Sequence, residues 1–529
     1  MTLYKTIYTA LILAGVTFSY GQESVRGYVY HDRNGNGQKE RGEAGIAGVS
    51  VTNGVAVTQT DEKGYYELPA TDDMIVSVIK PAGYAVPLNR ENQPLFYYIH
   101  KPAGSPKSNF PGVAPTGALP KSVDFPLTPQ EEAVDFKVLV FGDPQADNIT
   151  NAEYFDRAIV SEVAGNTDAV FGISLGDLGA MNLYPVYLRS ISKIGIPWYS
   201  VIGNHDLNAA ATDILTDETY EANFGPTNYA FNYGNTHFIV LDNVISPHPG
   251  KSDGYIGGFR DDILAFVKND LQYVPKDKLI VLIFHIPIYE FEPGPDQFRN
   301  GDVRALFDLL SGYEHTLSLS GHTHSQNHHF FTKEEGWPNA GMHHHYNPGA
   351  TSGSIYIGPQ DIYGTPSSLM RDGTPKGYAY LSITDTAYTY EYKASGHPAD
   401  YKMSIHAPKI VPQTEKYRGE LVVNFFQGTP RDTVSYRVDD GEWVTMVQEY
   451  RSDKFLLDLE YEWDHAETLP WGIRPSTPLP SSHIWVSRMP SNLPLGVHTI
   501  TVKAVDWLGR EYTDTKEFKI VPDHSYLKK

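Results

Sequence analysis

Between residues 135 and about 395 the chain alternates nearly continuous apolar runs with stripes of helical period, and this alternation restricts the fold more than any other feature. The runs are FKVLVF, AVFGISLG, WYSVIG, HFIVLD, LIVLIFH and TLSLSG; the helical stretches are AEYFDRAIVSEVA, LYPVYLRSISKI, FRDDILAFVKNDL and VRALFDLL. In the third stretch Phe259, Ile263, Phe266, Val267 and Leu271 fall on one face. Strands this apolar are buried on both sides, so helices must cover the sheet, and the pattern predicts an α/β core.

The flanks read differently. Residues 23–96 and the stretch beyond 400 show period-two alternation broken by Gly, Asp and Asn, which predicts small all-β domains. Residues 101–130 are rich in Pro and Gly and predict a boundary near 130. The expected organisation is a leader over 1–21, an N-terminal β-sandwich with a Pro-rich linker over 22–130, the α/β core over 131–397, and an immunoglobulin-like β domain over 398–529. The leader carries Lys5, then about a dozen apolar residues, then small residues at Ser19 and Gly21 ahead of Gln22. It reads as a secretory signal peptide, so the expected location is periplasmic, secreted or cell-surface, with no membrane-spanning helix in the mature chain.

Composition narrows the chemistry. A formal net charge of −21 disfavours polymeric nucleic acid and anionic membranes as partners, because their phosphates repel such a surface. The chain has no cysteine, so any metal must be held by imidazole, carboxylate and amide or carbonyl oxygen.

Five apolar runs end in residues of that kind. They are Gly142-Asp143-Pro144-Gln145, Gly176-Asp177, Gly203-Asn204-His205-Asp206, His285, and Gly321-His322-Thr323-His324. A single Gly-Asp is ordinarily a turn, and a single His after a strand is ordinarily a satisfied core residue; the ordered set is the signal. In open α/β sheets ligands sit beyond the carboxyl ends of the strands, where these turns can converge. Glycine ahead of the ligand is expected to let the chain turn sharply. Asp143, Gln145, Asp177, Asn204, His285, His322 and His324 are too many donors for one ion and suit two that share a carboxylate. Two ions about 3.5–4 Å apart clamp an in-line displacement at phosphorus.

The series GDPQ, GD, GNHD, H, GHTH resembles the calcineurin-like metallophosphoesterase superfamily, whose pattern is D-x-H, G-D, G-N-H-D/E, H, G-H-x-H; the likeness runs from about 137 to 324. FPGVAPTGALPKSVDFPLTP, HHHYNPGATSGSIYIGP and MRDGTPKGY carry a weaker likeness to a multidomain bacterial exported subgroup with sandwich domains at both ends. The resemblance implies a β-sandwich flanked by helices. It implies one metal held by Asp143, Gln145, Asp177 and His324, and a second by Asp177, Asn204, His285 and His322, with Asp177 bridging. It implies His205, paired with Asp206, as general acid at the leaving-group oxygen. The activity implied is hydrolysis of a phosphomonoester or phosphodiester by metal-bound hydroxide. Gln145 stands where the family has His. Its amide oxygen is a harder, weaker donor than imidazole, which predicts Mn²⁺, Fe or Mg²⁺ in preference to Zn²⁺ at that site.

Other segments add expectations. Asp32, Asn34, Asn36, Gly37 and Glu43 follow the spacing of a calcium loop, or of a plain Asn/Gly turn. His343, His344 and His345 are candidates for the substrate pocket, as is Arg371, whose guanidinium suits a phosphate oxygen. Asp242 and Asn243 end a further core strand and are expected to pack beside the site. Candidate substrates are nucleotides, a phospholipid head group or a phosphorylated sugar. The competing reading is a non-catalytic metal-containing surface protein that binds glycan or protein through its β domains; His205 separates the two, since a scaffold needs no acid.

Overall fold

The computed structural model describes residues 23–210, 212–248 and 254–523; the expected leader over 1–21 lies outside the described residues. The central unit contains strands β1 (Asp135–Phe141), β2 (Phe171–Ser174), β3 (Trp198–Ser200), β4 (Tyr229–Tyr233), β5 (Thr236–Val240) and β6 (Leu279–Ile283). It continues with β7 (Thr316–Leu319), β8 (Gln326–Phe331), β9 (His343–Pro348), β10 (Gly377–Thr384) and β11 (Ala387–Ala394). One sheet has the order β3-β2-β1-β10-β11, the other β4-β5-β6-β7-β9-β8. Within the first, β1, β2 and β3 run parallel; within the second, β5, β6, β7 and β9 do.

Side-chain alternation shows why the apolar runs are unbroken. In β1, Phe136, Val138 and Val140 enter the core between the sheets, while Leu139 and Phe141 face helices on the outside. In β6, Leu279, Val281 and Ile283 point to the same central core, and Ile280 and Leu282 meet helices on the opposite outer face. Helix α1 (Ile149–Phe155), which continues through a π-helical turn, and α2 (Tyr184–Ser192) cover the first sheet. Helices α3 (Asp261–Asp270) and α4 (Asn300–Leu309) cover the second. Ile263, Phe266 and Val267 of α3 are buried there together with Phe259 and Leu271, as the helical stripe predicts. The result is a two-sheet sandwich flanked by helices.

The N-terminal part forms two four-stranded sheets, in which Phe125–Pro129 pairs in parallel with Ser24–His31. The C-terminal part forms sheets of four and five strands around Phe425, Trp485 and Ile500. It also carries a helix, Lys454–Asp464, capped by the Asp453 side chain, which the strand-only reading of that region did not anticipate. Among the described residues no helix is long and apolar enough to cross a membrane.

Candidate metal centre

Because β1, β2, β3, β6 and β7 are parallel within their sheets, their carboxyl ends deliver the five turns to one end of the sandwich. The turns meet at atomic range. His285 Nε2 lies 3.3 Å from Asp177 Oδ1, 3.0 Å from Asn204 Oδ1 and 3.3 Å from His322 Nδ1. His324 Nε2 lies 3.7 Å from Asp143 Oδ1. Asp177, His285 and His322 each offer a ligand atom within 4.8 Å of the others.

The backbone is strained at the same residues. Asp143 (φ 36°), Gln145 (φ 36°), Asp177 (φ 52°), His322 (φ 75°) and His324 (φ 49°) all occupy the left-handed region. For a side chain with a Cβ this costs on the order of 1–2 kcal/mol per residue, and such strain gathers where function requires it. The expected sharp turn at the preceding glycine holds only at Gly176 (φ 97°). At Gly203 and Gly321 the requirement is space: a Cβ would stand 2.3 Å from Asp177 Oδ1 and 2.6 Å from Asp143 Oδ2, respectively. The glycines therefore let neighbouring loops close on one another.

Several features fit a pair of cations. The Gln145 side chain is 4% exposed, and its Oε1 has no hydrogen-bond partner. A buried carbonyl oxygen left unpaired is costly, and a cation would satisfy it. His285 Nδ1–H donates to Leu175 O (2.8 Å), and His324 Nδ1–H donates to Gly353 O (2.6 Å), which turns Nε2 of each ring toward the centre, the atom a cation would bind in place of a proton. Burial pushes the Asp143 carboxyl well above its ordinary range, with the Asp177 charge adding to it. Burial acts on Asp177 in the same sense, but His285 outweighs it and holds that carboxylate below the usual range. For His285 burial disfavours the charged ring, yet Asp177 overrides it and the ring is pushed up to about 9. Burial and the neighbouring His285 push His322 down to about 3. Carboxylates this buried are what a divalent cation would neutralise.

His205 lines the open pocket in front of these residues, and its backbone N–H donates to Asp177 Oδ1 (2.9 Å). The expected pairing of His205 with Asp206 does not occur. The Asp206 carboxylate is fully buried and accepts from Gly203 N–H (2.9 Å), Leu178 N–H (3.1 Å) and the Tyr184 hydroxyl (2.9 Å). It holds the second and third turns together. The reason is steric: Asn204–Asp206 form one 3₁₀ turn, which sends adjacent side chains in different directions.

His343, His344 and His345 do not line the pocket either. They lie in β9, fully or almost fully buried. His343 bridges the Thr316 and Ser318 hydroxyls, and His345 bridges those of Ser318 and Ser320. His344 faces the opposite side and meets His328 (2.9 Å) and the Tyr388 hydroxyl (3.0 Å). A buried strand pairs its polar side chains across the sheet, and that is their role here. Arg371 does line the pocket, where its guanidinium donates to Glu292 Oε1 (2.8 Å). In the N-terminal loop Asp32 accepts from Gly35 and Gly37 N–H, Asn34 Oδ1 from Asn36 N–H, Asn36 Oδ1 from Gln38 N–H, and Glu43 from Arg33 and Glu40 N–H. These oxygens are engaged in the loop's own turns.

Further residues complete the site. Asn243 packs beside it as expected: it accepts from the N–H of His285 (3.2 Å) and Ile286 (3.0 Å) and donates to Ile286 O (2.6 Å), so it fixes the His285 turn. Sequence reasoning missed the aromatic and C-terminal residues around it. The rings of Tyr255 and Phe291 meet His322 edge-on at 5.8 and 5.4 Å. The pocket measures about 770 Å³ and is also lined by Ser476 and Thr477 of the C-terminal part.

The chain is similar to several known proteins. One relative is described as a probable glycerophosphodiester phosphodiesterase GpdQ from Arcobacter nitrofigilis; it is 29% identical over 161 residues, which span 29% of this chain and 55% of the relative. Among solved structures, the purple acid phosphatase PPD1 from yellow lupin seeds has a TM-score of 0.37 at 14% identity, covering 66% of this chain and 68% of that one. A dimetal phosphatase from Danio rerio has a TM-score of 0.32 at 13% identity, covering 50% of this chain and 99% of that one. Three family profiles match in sequence order: the N terminal of calcineurin-like phosphoesterase at residues 33–113, calcineurin-like phosphoesterase at 136–326, and the C terminal of calcineurin-like phosphoesterase at 345–512. Motif order, sandwich and profile matches together place the chain in the calcineurin-like phosphoesterase superfamily.

Proposed function

We propose that this chain is a metal-dependent hydrolase of small phosphoric esters. The observation that carries the reading is the convergence of Asp177, Asn204 and His322, which line an open pocket, on the buried His285 Nε2 within 3.0–3.3 Å. Asp143, Gln145, Asp177 and His324 would hold one cation, and Asp177, Asn204, His285 and His322 the other. When bound, such a pair supplies Lewis acidity and lowers the pKa of water.

The protein's own residues do the rest. Gly353 O and Leu175 O orient the two imidazoles, Asp206 ties the Asp177 turn to the Asn204 turn, and Asn243 fixes the His285 turn. His205, exposed to the pocket, is placed to give a proton to the departing alkoxide, a contribution of order 10²–10⁴-fold. A non-catalytic scaffold would have no use for a pocket-facing acid there. A volume of about 770 Å³ leaves room for substituents on both sides of phosphorus, so a diester fits. The described activity of the Arcobacter nitrofigilis relative points the same way. Export through the apolar leader belongs to the same proposal, and N-terminal sequencing of recovered mature protein tests it.

The test is a metal-reconstituted assay with p-nitrophenyl phosphate and bis(p-nitrophenyl) phosphate. Mn²⁺-loaded protein should hydrolyse the diester, chelation should abolish turnover, and His205→Ala should lower kcat while metal content stays the same. Protein loaded with Mn²⁺, Fe or Zn²⁺ that cleaves neither ester would overturn the proposal.

A further inference from the structure

The pocket is not closed by the central unit alone. Ser476 and Thr477 of the C-terminal part stand in its wall, and the Ser476 hydroxyl hydrogen-bonds to the Ser354 hydroxyl of the central unit. The same face of the pocket contains Arg371, whose backbone joins the two parts. Arg371 N–H donates to the carbonyl of His324 (3.1 Å), and Leu479 N–H donates to the carbonyl of Arg371 (2.8 Å). One residue thus lies between a candidate metal ligand and the segment that carries Ser476 and Thr477.

Beneath it lies a buried polar clasp. His483 Nε2–H donates to Asp372 Oδ2 (3.0 Å), with both side chains 1% exposed. Asp372 Oδ2 also accepts from Gln326 N–H (2.6 Å), two residues beyond His324. The other nitrogen of His483 meets Asn424 Oδ1 (2.8 Å). The Asn424 amide donates to Asp372 O (2.9 Å) and Asp453 Oδ2 (3.0 Å). Packing is close as well: a Cβ at Gly373 would fall 2.3 Å from Asp453 Cγ. A buried carboxylate with this many donors is held in one arrangement, because losing any donor leaves charge unpaired away from water.

We propose that the C-terminal domain is part of the substrate site. Ser476 and Thr477 form a wall that selects esters by the size of their organic substituent, and the Asp372–His483 clasp positions that wall against the His324 turn. The proposal rests on the reading of the centre as a phosphoester site and adds what chooses the ester. Pockets at domain junctions commonly divide labour this way, one part supplying the chemistry and the other the contour. His483 and Asp372 act through the loop they hold and are positioning residues; Thr477 meets the substituent directly. Thr477 is exposed in the wall, so a larger side chain there changes the pocket without disturbing a core.

The experiment measures, by calorimetry on the full Mn²⁺-loaded chain, the affinities for inorganic phosphate and phenylphosphonate. The first ligand needs only the centre, and the second also needs room for a ring. Thr477→Trp should change the ratio of the two affinities by roughly tenfold or more while phosphate binding stays within about twofold. His483→Gln should shift the same ratio by roughly threefold or more, again with phosphate little changed. A ratio unchanged in Thr477→Trp, or an equal loss for both ligands, overturns the wall. An unchanged ratio in a folded His483→Gln overturns the clasp. Wild-type protein that takes up manganese and binds neither ligand overturns the phosphoester reading itself, so the failures are told apart.

Discussion

Replacing His343 by glutamine should change how stability depends on pH, by an amount the structure sets. The His343 ring is fully buried, hydrogen-bonded to Thr316 and Ser318 (both 2.8 Å), and enclosed by Phe307, Phe331 and Trp337. Burial, reinforced by the charge of His329, pushes it from 6.5 down to about 3. A histidine whose folded pKa is depressed contributes stability that is fully present above its unfolded pKa. That contribution drains away as pH falls below about 6.5, because the unfolded chain takes up a proton the folded one refuses. It is gone by the folded value of about 3. Each pH unit in that window is worth about 1.4 kcal/mol, so the interval from pH 7 to pH 5 removes about 2 kcal/mol. Glutamine does not titrate and keeps at most part of the hydroxyl pairing, so at pH 7 the variant should be less stable by about 1–3 kcal/mol. Between pH 7 and pH 5 the gap should narrow by about 2 kcal/mol. Comparing variant with wild type cancels the buried carboxylates, which are common to both. Amide hydrogen exchange in β7 and β9, corrected for intrinsic rates, reads the opening free energy of this region. A gap that stays constant from pH 7 to pH 5 would refute the reasoning, since it would mean the folded ring titrates as freely as the unfolded one.

The centre itself supports other expected outcomes. Gln145→His should raise activity with Zn²⁺ relative to Mn²⁺, as read by turnover of bis(p-nitrophenyl) phosphate after reconstitution with each metal; an unchanged ranking would show that the Gln145 oxygen does not select the ion. Gly203→Ala places a methyl 2.3 Å from Asp177 Oδ1 and should lower bound metal per chain to half or less by elemental analysis, with the outer domains still folded. Asp206→Ala strips the acceptor from two backbone N–H groups and the Tyr184 hydroxyl, so it should destabilise the central unit by about 1–3 kcal/mol. His205→Ala should leave the melting temperature unchanged and lower kcat alone; if the two variants behave alike, the separation of acid from clamp is wrong.

Much of the site was legible because its information is local. A buried strand needs apolar side chains on both faces, so β1 and β6 announce themselves in FKVLVF and LIVLIF, and the residues just after each run are the ones the fold presents at its carboxyl edge. Donor identity is likewise written in single letters: an amide at Gln145 offers an oxygen whatever surrounds it. Direction is another matter. His343, His344 and His345 read as three available imidazoles until β9 pairs with β7 and aligns two of them with the Thr316, Ser318 and Ser320 hydroxyls. Asp206 reads as a partner for its neighbour until the Leu178 and Gly203 N–H groups claim it from the other side. Ser476 and Thr477 carry no signal at all, since their place in the pocket depends on how the C-terminal domain docks against Asp372, through His483, which lies 111 residues further along the chain. Sequence by itself determined the layers, the order of the metal-type turns and the kinds of donor they bring. Tertiary structure alone decided which polar groups face the centre and which face each other, because a hydrogen-bond partner distant in sequence leaves no periodicity behind.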